Sequence, residues 1–171
     1  MTNNDVLRSF RYALELDNAA LVEYFALADV EMPLTFLASL LKKDEESGFE
    51  PLTDELLGRL LDGFITKSRG KREPVAVRSD ATSQATADRE PERAAELTNN
   101  RILRSLKIAL ELKDTDLVAI MQLAGVQVTK SELGALFRRE NHRNYQPCGD
   151  QFLRNFIRGL GLWHRQGRNS L

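Results

Sequence analysis

Apolar residues recur along this chain at helical spacing, and they do so twice in the same pattern. Val6, Leu7, Phe10, Ala13 and Leu14 form the i, i+3/i+4, i+7 stripe of an amphipathic helix, and Ile102, Leu103, Leu106, Ala109 and Leu110 form it again 96 positions later. A second stripe, Leu21, Val22, Phe25 and Ala28, returns as Leu117, Val118, Met121 and Ala124. A third, Leu37, Leu40 and Leu41, returns as Leu133, Leu136 and Phe137. The fourth, Leu56, Leu57, Leu60, Leu61 and Phe64, returns as Phe152, Leu153, Phe156, Ile157 and Leu160. No stretch alternates with period two for the length of a strand, so the pattern predicts an all-α fold. Its core should hold Val6, Leu7, Phe10, Phe25, Leu37 and Leu57, and likewise Ile102, Leu103, Leu106, Met121, Leu133 and Leu153.

Start and stop signals bracket these stripes. Asn3 or Asn4, and Asn99 or Asn100, stand where an N-cap oxygen would accept an orphan backbone N–H. Asp17 and Asn18, or Asp114 to Asp116, mark the second helix. The third opens in one copy with the capping box Thr129-Lys130-Ser131-Glu132 and in the other with Pro33, which is tolerated at a helix start. Pro51 and Pro147 precede the fourth, and Asp54 and Asp150 suit the positive end of its dipole. Gly63 and Gly159 suggest close helix contacts, and Gly159-Leu160-Gly161 reads as the end of the last helix. Arg8 with Glu15, and Arg104 with Glu111, are spaced as surface ion pairs.

The two patterns superimpose without a gap from Thr2/Thr98 onward, with about a third of paired positions identical, which identifies a duplicated domain. The chain therefore divides into a helical repeat over 1–67, a linker over 68–96 and a second helical repeat over 97–171. Each repeat predicts four helices. The segment 68–96 has no large apolar residue beyond Val75 and Val77, too few to offset the entropy of ordering it, and reads as a flexible linker. Each repeat, at about 65–70 residues, sits near the limit for an independent core, so packing of one on the other is expected.

Charge changes the picture more than composition does. Repeat 1 carries six Lys and Arg against thirteen Asp and Glu, a net of −7; repeat 2 carries twelve against six, a net of +6. Opposite fields on one scaffold point to interaction with charged partners or between the repeats. No apolar run reaches the roughly 20 residues of a membrane helix, so no membrane partner is expected. The N-terminus lacks the pattern of a signal peptide, and the one cysteine, Cys148, fits a reducing cytoplasm.

Several short motifs, in one order and in both copies, carry a resemblance. They are Asn-Asn-Asp-x-Leu-Arg-x-x-x-x-Ala-Leu-x-Leu at Asn3–Leu16, Leu-Leu-Lys-Lys-Asp-Glu-Glu at Leu40–Glu46, Pro-x-x-Asp at Pro51–Asp54, Leu-Asp-Gly-Phe-Ile-x-x-x-Arg-Gly-Lys at Leu61–Lys71 and Leu-Ala-Gly-Val at Leu123–Val126. The chain resembles the YehS-like family, bacterial proteins of unknown function whose domain occurs in tandem. The resemblance implies a small cytoplasmic bacterial protein and lends no catalytic residue. Repeat 2 departs from the pattern: Arg158 stands where repeat 1 has Asp62, and Trp163-His164 where it has Lys67-Ser68.

Cys148, His142 and Asp150 supply the thiol, imidazole and carboxylate of a nucleophilic site. Against that, Cys148 corresponds to Leu52 and His142 to Glu46, so a small core residue and a solvated loop account for them. We expect no enzyme, and no catalytic, cofactor-binding or metal residues. The candidate binding residues are Arg138, Arg139, His142, Arg143, Arg154 and Arg158, a cationic group in repeat 2. They favour a non-enzymatic interaction module whose acidic and basic repeats dock on each other or on a protein partner, with homodimerisation as one form. The alternative is nucleic-acid binding by repeat 2, whose second and third helices flank a connection similar to a helix-turn-helix.

Overall fold

The computed structural model describes residues 1–70 and 96–168. Most of the expected linker, 71–95, lies outside them. The described residues form eight helices and no strand: α1 (Asn3–Ala13), α2 (Asn18–Leu27), α3 (Leu34–Leu41), α4 (Asp54–Arg69), α5 (Asn99–Ala109), α6 (Asp114–Leu123), α7 (Lys130–Leu136) and α8 (Asp150–Arg168). Helix α4 continues through Ser68 and Arg69, two residues past position 67. The twelve residues expected in the core are each 2% exposed or less.

Within each repeat the second helix lies along the fourth, α2 on α4 and α6 on α8. The approach is close because each fourth helix carries a glycine at the crossing. A Cβ on Gly63 would stand 1.6 Å from Tyr24 O, and one on Gly159 2.0 Å from Ile120 O. Aromatic rings fill repeat 1, where Phe64 meets Phe10 edge-on at 5.0 Å and Tyr24 at 5.2 Å. Leu160, Leu106 and Ile120 occupy the same positions in repeat 2.

The first helices are exchanged. Helix α1 packs mainly on α8 and α5 mainly on α4, so each repeat supplies the helix that covers the last helix of the other. One continuous apolar core results. Gly161 sits at the α8–α1 crossing, where a Cβ would stand 3.1 Å from Ala13 Cα. Helix α8 therefore does not end at Gly159-Leu160-Gly161 but runs on to Arg168. Those glycines serve two contacts, with α6 and with α1, because α8 lies between them.

Two other local readings need correction. The N-caps are Thr2 and Thr98, whose hydroxyls accept from Asp5 N at 3.2 Å and Arg101 N at 3.4 Å. The asparagines stand inside the helices and turn toward the connection between the third and fourth helices. Nor does Arg8 pair with Glu15: its guanidinium donates to Asp5 Oδ1 at 2.6 Å and to Lys42 O. Arg104 likewise donates to Phe137 O at 2.7 Å. Glu15 and Glu111 adopt φ of 52° and 53° just past their helices, which takes them off the face that carries those arginines. They pair instead across the repeats, Glu15 Oε1 lying 3.4 Å from Arg165 Nε and Glu111 Oε1 3.9 Å from Arg69 Nε.

Candidate functional site

The cationic residues of repeat 2 are carried by the connection between α7 and α8 and by the outer face of α8. Arg138, Arg139, His142 and Arg143 are all exposed on the first, and Arg154 and Arg158, one turn apart, on the second. The connection is held by its backbone. His142 N donates to Arg139 O at 2.9 Å, Tyr145 N to His142 O at 2.8 Å, and Gln146 N to Ala135 O at 3.1 Å. The imidazole Nδ1 of His142 accepts from Asn144 N at 3.1 Å, which ties the ring to its own turn.

Beneath this surface lies a buried amide that the sequence does not advertise. Asn100 Nδ2 donates to Leu136 O at 2.8 Å and Gln146 O at 2.9 Å, and its Oδ1 accepts from Cys148 N at 2.7 Å. Asn4 does the same in repeat 1, to Leu40 O, Glu50 O and Leu52 N, each at 2.9 Å. One side chain thus joins the end of the third helix to the approach to the fourth and replaces three backbone partners. The Asn-Asn pair recurring at 3–4 and 99–100 was the available signal, and its resemblance to a cap concealed it.

The connection between the repeats runs elsewhere. It is built from the apolar faces of α1 and α8 and of α4 and α5, and all six candidate side chains stand outside it, exposed to solvent. The equivalent positions in repeat 1 are Lys42, Lys43, Glu46, Ser47, Gly58 and Asp62, so the same region of the fold is cationic in one copy and mixed or acidic in the other. Exposed Asp44, Glu45 and Glu46 extend the acidic surface of repeat 1.

Cys148 is buried, and burial first, then the nearby Asp150 carboxylate, push its thiol up to about 11. A nucleophilic cysteine needs the opposite shift. Asp150 is itself engaged: the Met1 amino group and Asn99 Nδ2 donate to it and hold its carboxyl below the ordinary value. Among the described residues no three His, Cys, Asp or Glu side chains converge as metal ligands, and no helix is long and apolar enough to cross a membrane.

Comparison with known proteins adds a relationship. The family described as "protein of unknown function (DUF1456)" matches twice, over residues 3–70 and 99–166. The uncharacterized protein YehS of Escherichia coli (strain K12) is 40% identical over 160 residues, 94% of this chain and 94% of its own. No solved structure matches the chain.

Proposed function

The chain belongs to the DUF1456 family, as two of its domains in tandem, and from that premise we propose that it is a non-enzymatic interaction module. The basic surface of repeat 2 receives an acidic protein surface, and the acidic surface of repeat 1 on a second copy is the partner that the chain itself supplies. The observation behind this reading is that Arg138, Arg139, His142, Arg143, Arg154 and Arg158 are exposed and lie outside the apolar faces that join the repeats. Asp62 and Arg158, equivalent positions of opposite sign, make the two surfaces complementary there rather than alike. Basic-to-acidic contact between copies closes as a two-fold dimer where the patches meet reciprocally, and otherwise runs head-to-tail into a ring or an open chain.

Nucleic-acid binding is the weaker reading. Helix α7 has seven residues, about 10 Å of axis. Its outward Glu132 is locked in a capping box with Thr129, leaving little to read a groove. The connection Ala124–Thr129 also exceeds the turn of about three to four residues that a helix-turn-helix uses.

Sedimentation of the full chain across a salt series tests the proposal. Self-association should be strongest at low ionic strength and weaken within the range where exposed charges are screened. R154E with R158E should abolish it, and D62R mixed with that variant should restore association between the two proteins. A monomer at every salt concentration that retains duplex DNA through the same arginines would move the assignment to nucleic acid.

A further inference from the structure

Arg11 and Lys107 are the same position in the two repeats, and the fold treats them differently. Lys107 Nζ lies 2.6 Å from Asp114 Oδ1 and 4.4 Å from the centroid of the Phe137 ring, so its charge is compensated inside repeat 2. In repeat 1 the residue at the Asp114 position is Asn18. An amide oxygen can accept one of the five guanidinium N–H groups but carries no charge to match it. Here it accepts none: Arg11 Nε and Asn18 Oδ1 are both buried without a hydrogen-bond partner. Duplication has left repeat 1 with a cation whose internal carboxylate is missing.

Arg11 also lines an open groove of about 600 Å³ between α1 and α8, together with Arg8, Tyr12, Glu15, Leu16, Leu41 and Arg165. Three guanidinium groups face one carboxylate. The Arg8 charge is taken by Asp5 at 2.6 Å. Arg165 is held over the Tyr12 ring, 5.0 Å from its centroid, and 3.4 Å from Glu15. The Arg11 charge has no such partner among the described residues. The Tyr12 side chain is exposed although it is a large aromatic residue, its relative accessibility reaching 74%. The groove thus combines an uncompensated guanidinium, a second one in a fixed place, and an apolar wall of Tyr12, Leu16 and Leu41.

We infer that this groove binds a phosphorylated small molecule, its phosphate on Arg11 and Arg165 and its organic part along Tyr12. Guanidinium groups offer planar, paired donors that suit phosphate oxygens, and the volume lies in the range of small-ligand sites, about 300–1,000 Å³. The second repeat cannot hold an equivalent ligand, because Lys107 is already neutralised and Ile108 stands in place of Tyr12. The stoichiometry is therefore one per chain.

Titration calorimetry and thermal unfolding of the full chain with pyrophosphate and with adenosine monophosphate test this, with sulfate as the ionic control. Saturable binding of one equivalent is expected, with adenosine monophosphate the tighter because Tyr12 receives its organic part. Asn18→Asp, which restores the carboxylate that repeat 2 keeps, should weaken binding at least tenfold while the apo protein remains folded. R165A should do the same. Unchanged affinity in Asn18→Asp, a stoichiometry of two, or a sulfate response equal to that of both phosphates would overturn the inference. So would the absence of saturable binding at millimolar probe. A single-stranded oligonucleotide that outcompetes both probes would overturn it in favour of a polymer ligand.

Discussion

The backbone N–H of Leu97 donates to Asp54 Oδ2 at 3.2 Å, so the residue that leads into repeat 2 is held by the first turn of the last helix of repeat 1. The other oxygen of Asp54 accepts from Asn3 of its own repeat at 2.7 Å. Asp150 repeats the arrangement with Asn99 and with the amino group of Met1, the position equivalent to Leu97. Each aspartate therefore serves its helix end and the seam between repeats together. Asp54→Ala should destabilise by about 1–2 kcal/mol, because hydrogen bonds to a charged acceptor are lost at a partly solvated site. Equilibrium urea unfolding checks it; an unchanged midpoint would show that water replaces the carboxylate at no cost.

Asn100→Ala should cost more, about 3 kcal/mol, since Leu136 O and Cys148 N lose their partner in a buried setting and Gln146 O in a partly buried one. Asn4→Ala should behave alike in repeat 1. Because the amide anchors the connection that carries Arg138 to Arg143, hydrogen exchange there should accelerate before the helices are affected.

Gly63→Ala and Gly159→Ala each place a methyl against a backbone carbonyl, at 1.6 Å and 2.0 Å, that cannot yield without moving a helix. Losses on the order of 3 kcal/mol or more are expected. Gly58→Ala, on the same α4 and with nothing within 4 Å, should be neutral or slightly stabilising and serves as the control.

Acid should weaken the fold in a definable way. For Asp5, burial raises the carboxyl, but Thr2 and Arg8 more than offset that and hold it below its ordinary 3.8. Thr129 holds Glu132 below 4.5, and the Met1 amino group and Asn99 hold Asp150 below 3.8. A carboxyl depressed in the folded state contributes its full stability above its unfolded value and loses it as pH falls through the folded one. Stability should hold above about pH 5 and decline below about pH 4. D5N, E132Q and D150N combined should flatten that decline in chemical denaturation measured between pH 6 and pH 3.

Separated repeats should find each other through the exchanged helices. Each would expose the apolar face of its first and fourth helices, so co-expressed halves should copurify. Among the described residues the ionic contacts across the repeats are few and solvent-facing, Glu15 with Arg165, Glu111 with Arg69 and the Met1 amino group with Asp150, so the complex should survive molar salt. Dissociation at moderate salt would mean that charge, not the shared core, holds the repeats.

Much of this molecule was decided by residue order alone. Local periodicity set the eight helices, because a stripe of leucines every three or four residues can be buried only as a helix face. The ungapped match of the two copies set the tandem organisation, and Thr129 with Glu132 set a helix start, because capping acts within one turn. The tertiary structure decided what lies between distant positions. It packed α1 mainly on α8 and less on α4, and turned Asn4 and Asn100 from apparent caps into buried pins. It carried α8 through two glycines whose missing side chains two other helices need, and it left Arg11 without the carboxylate that Lys107 has. Those features depend on which surfaces meet after the chain has folded back on itself. A one-dimensional pattern shows which face of a helix will be buried, but not which helix will bury it.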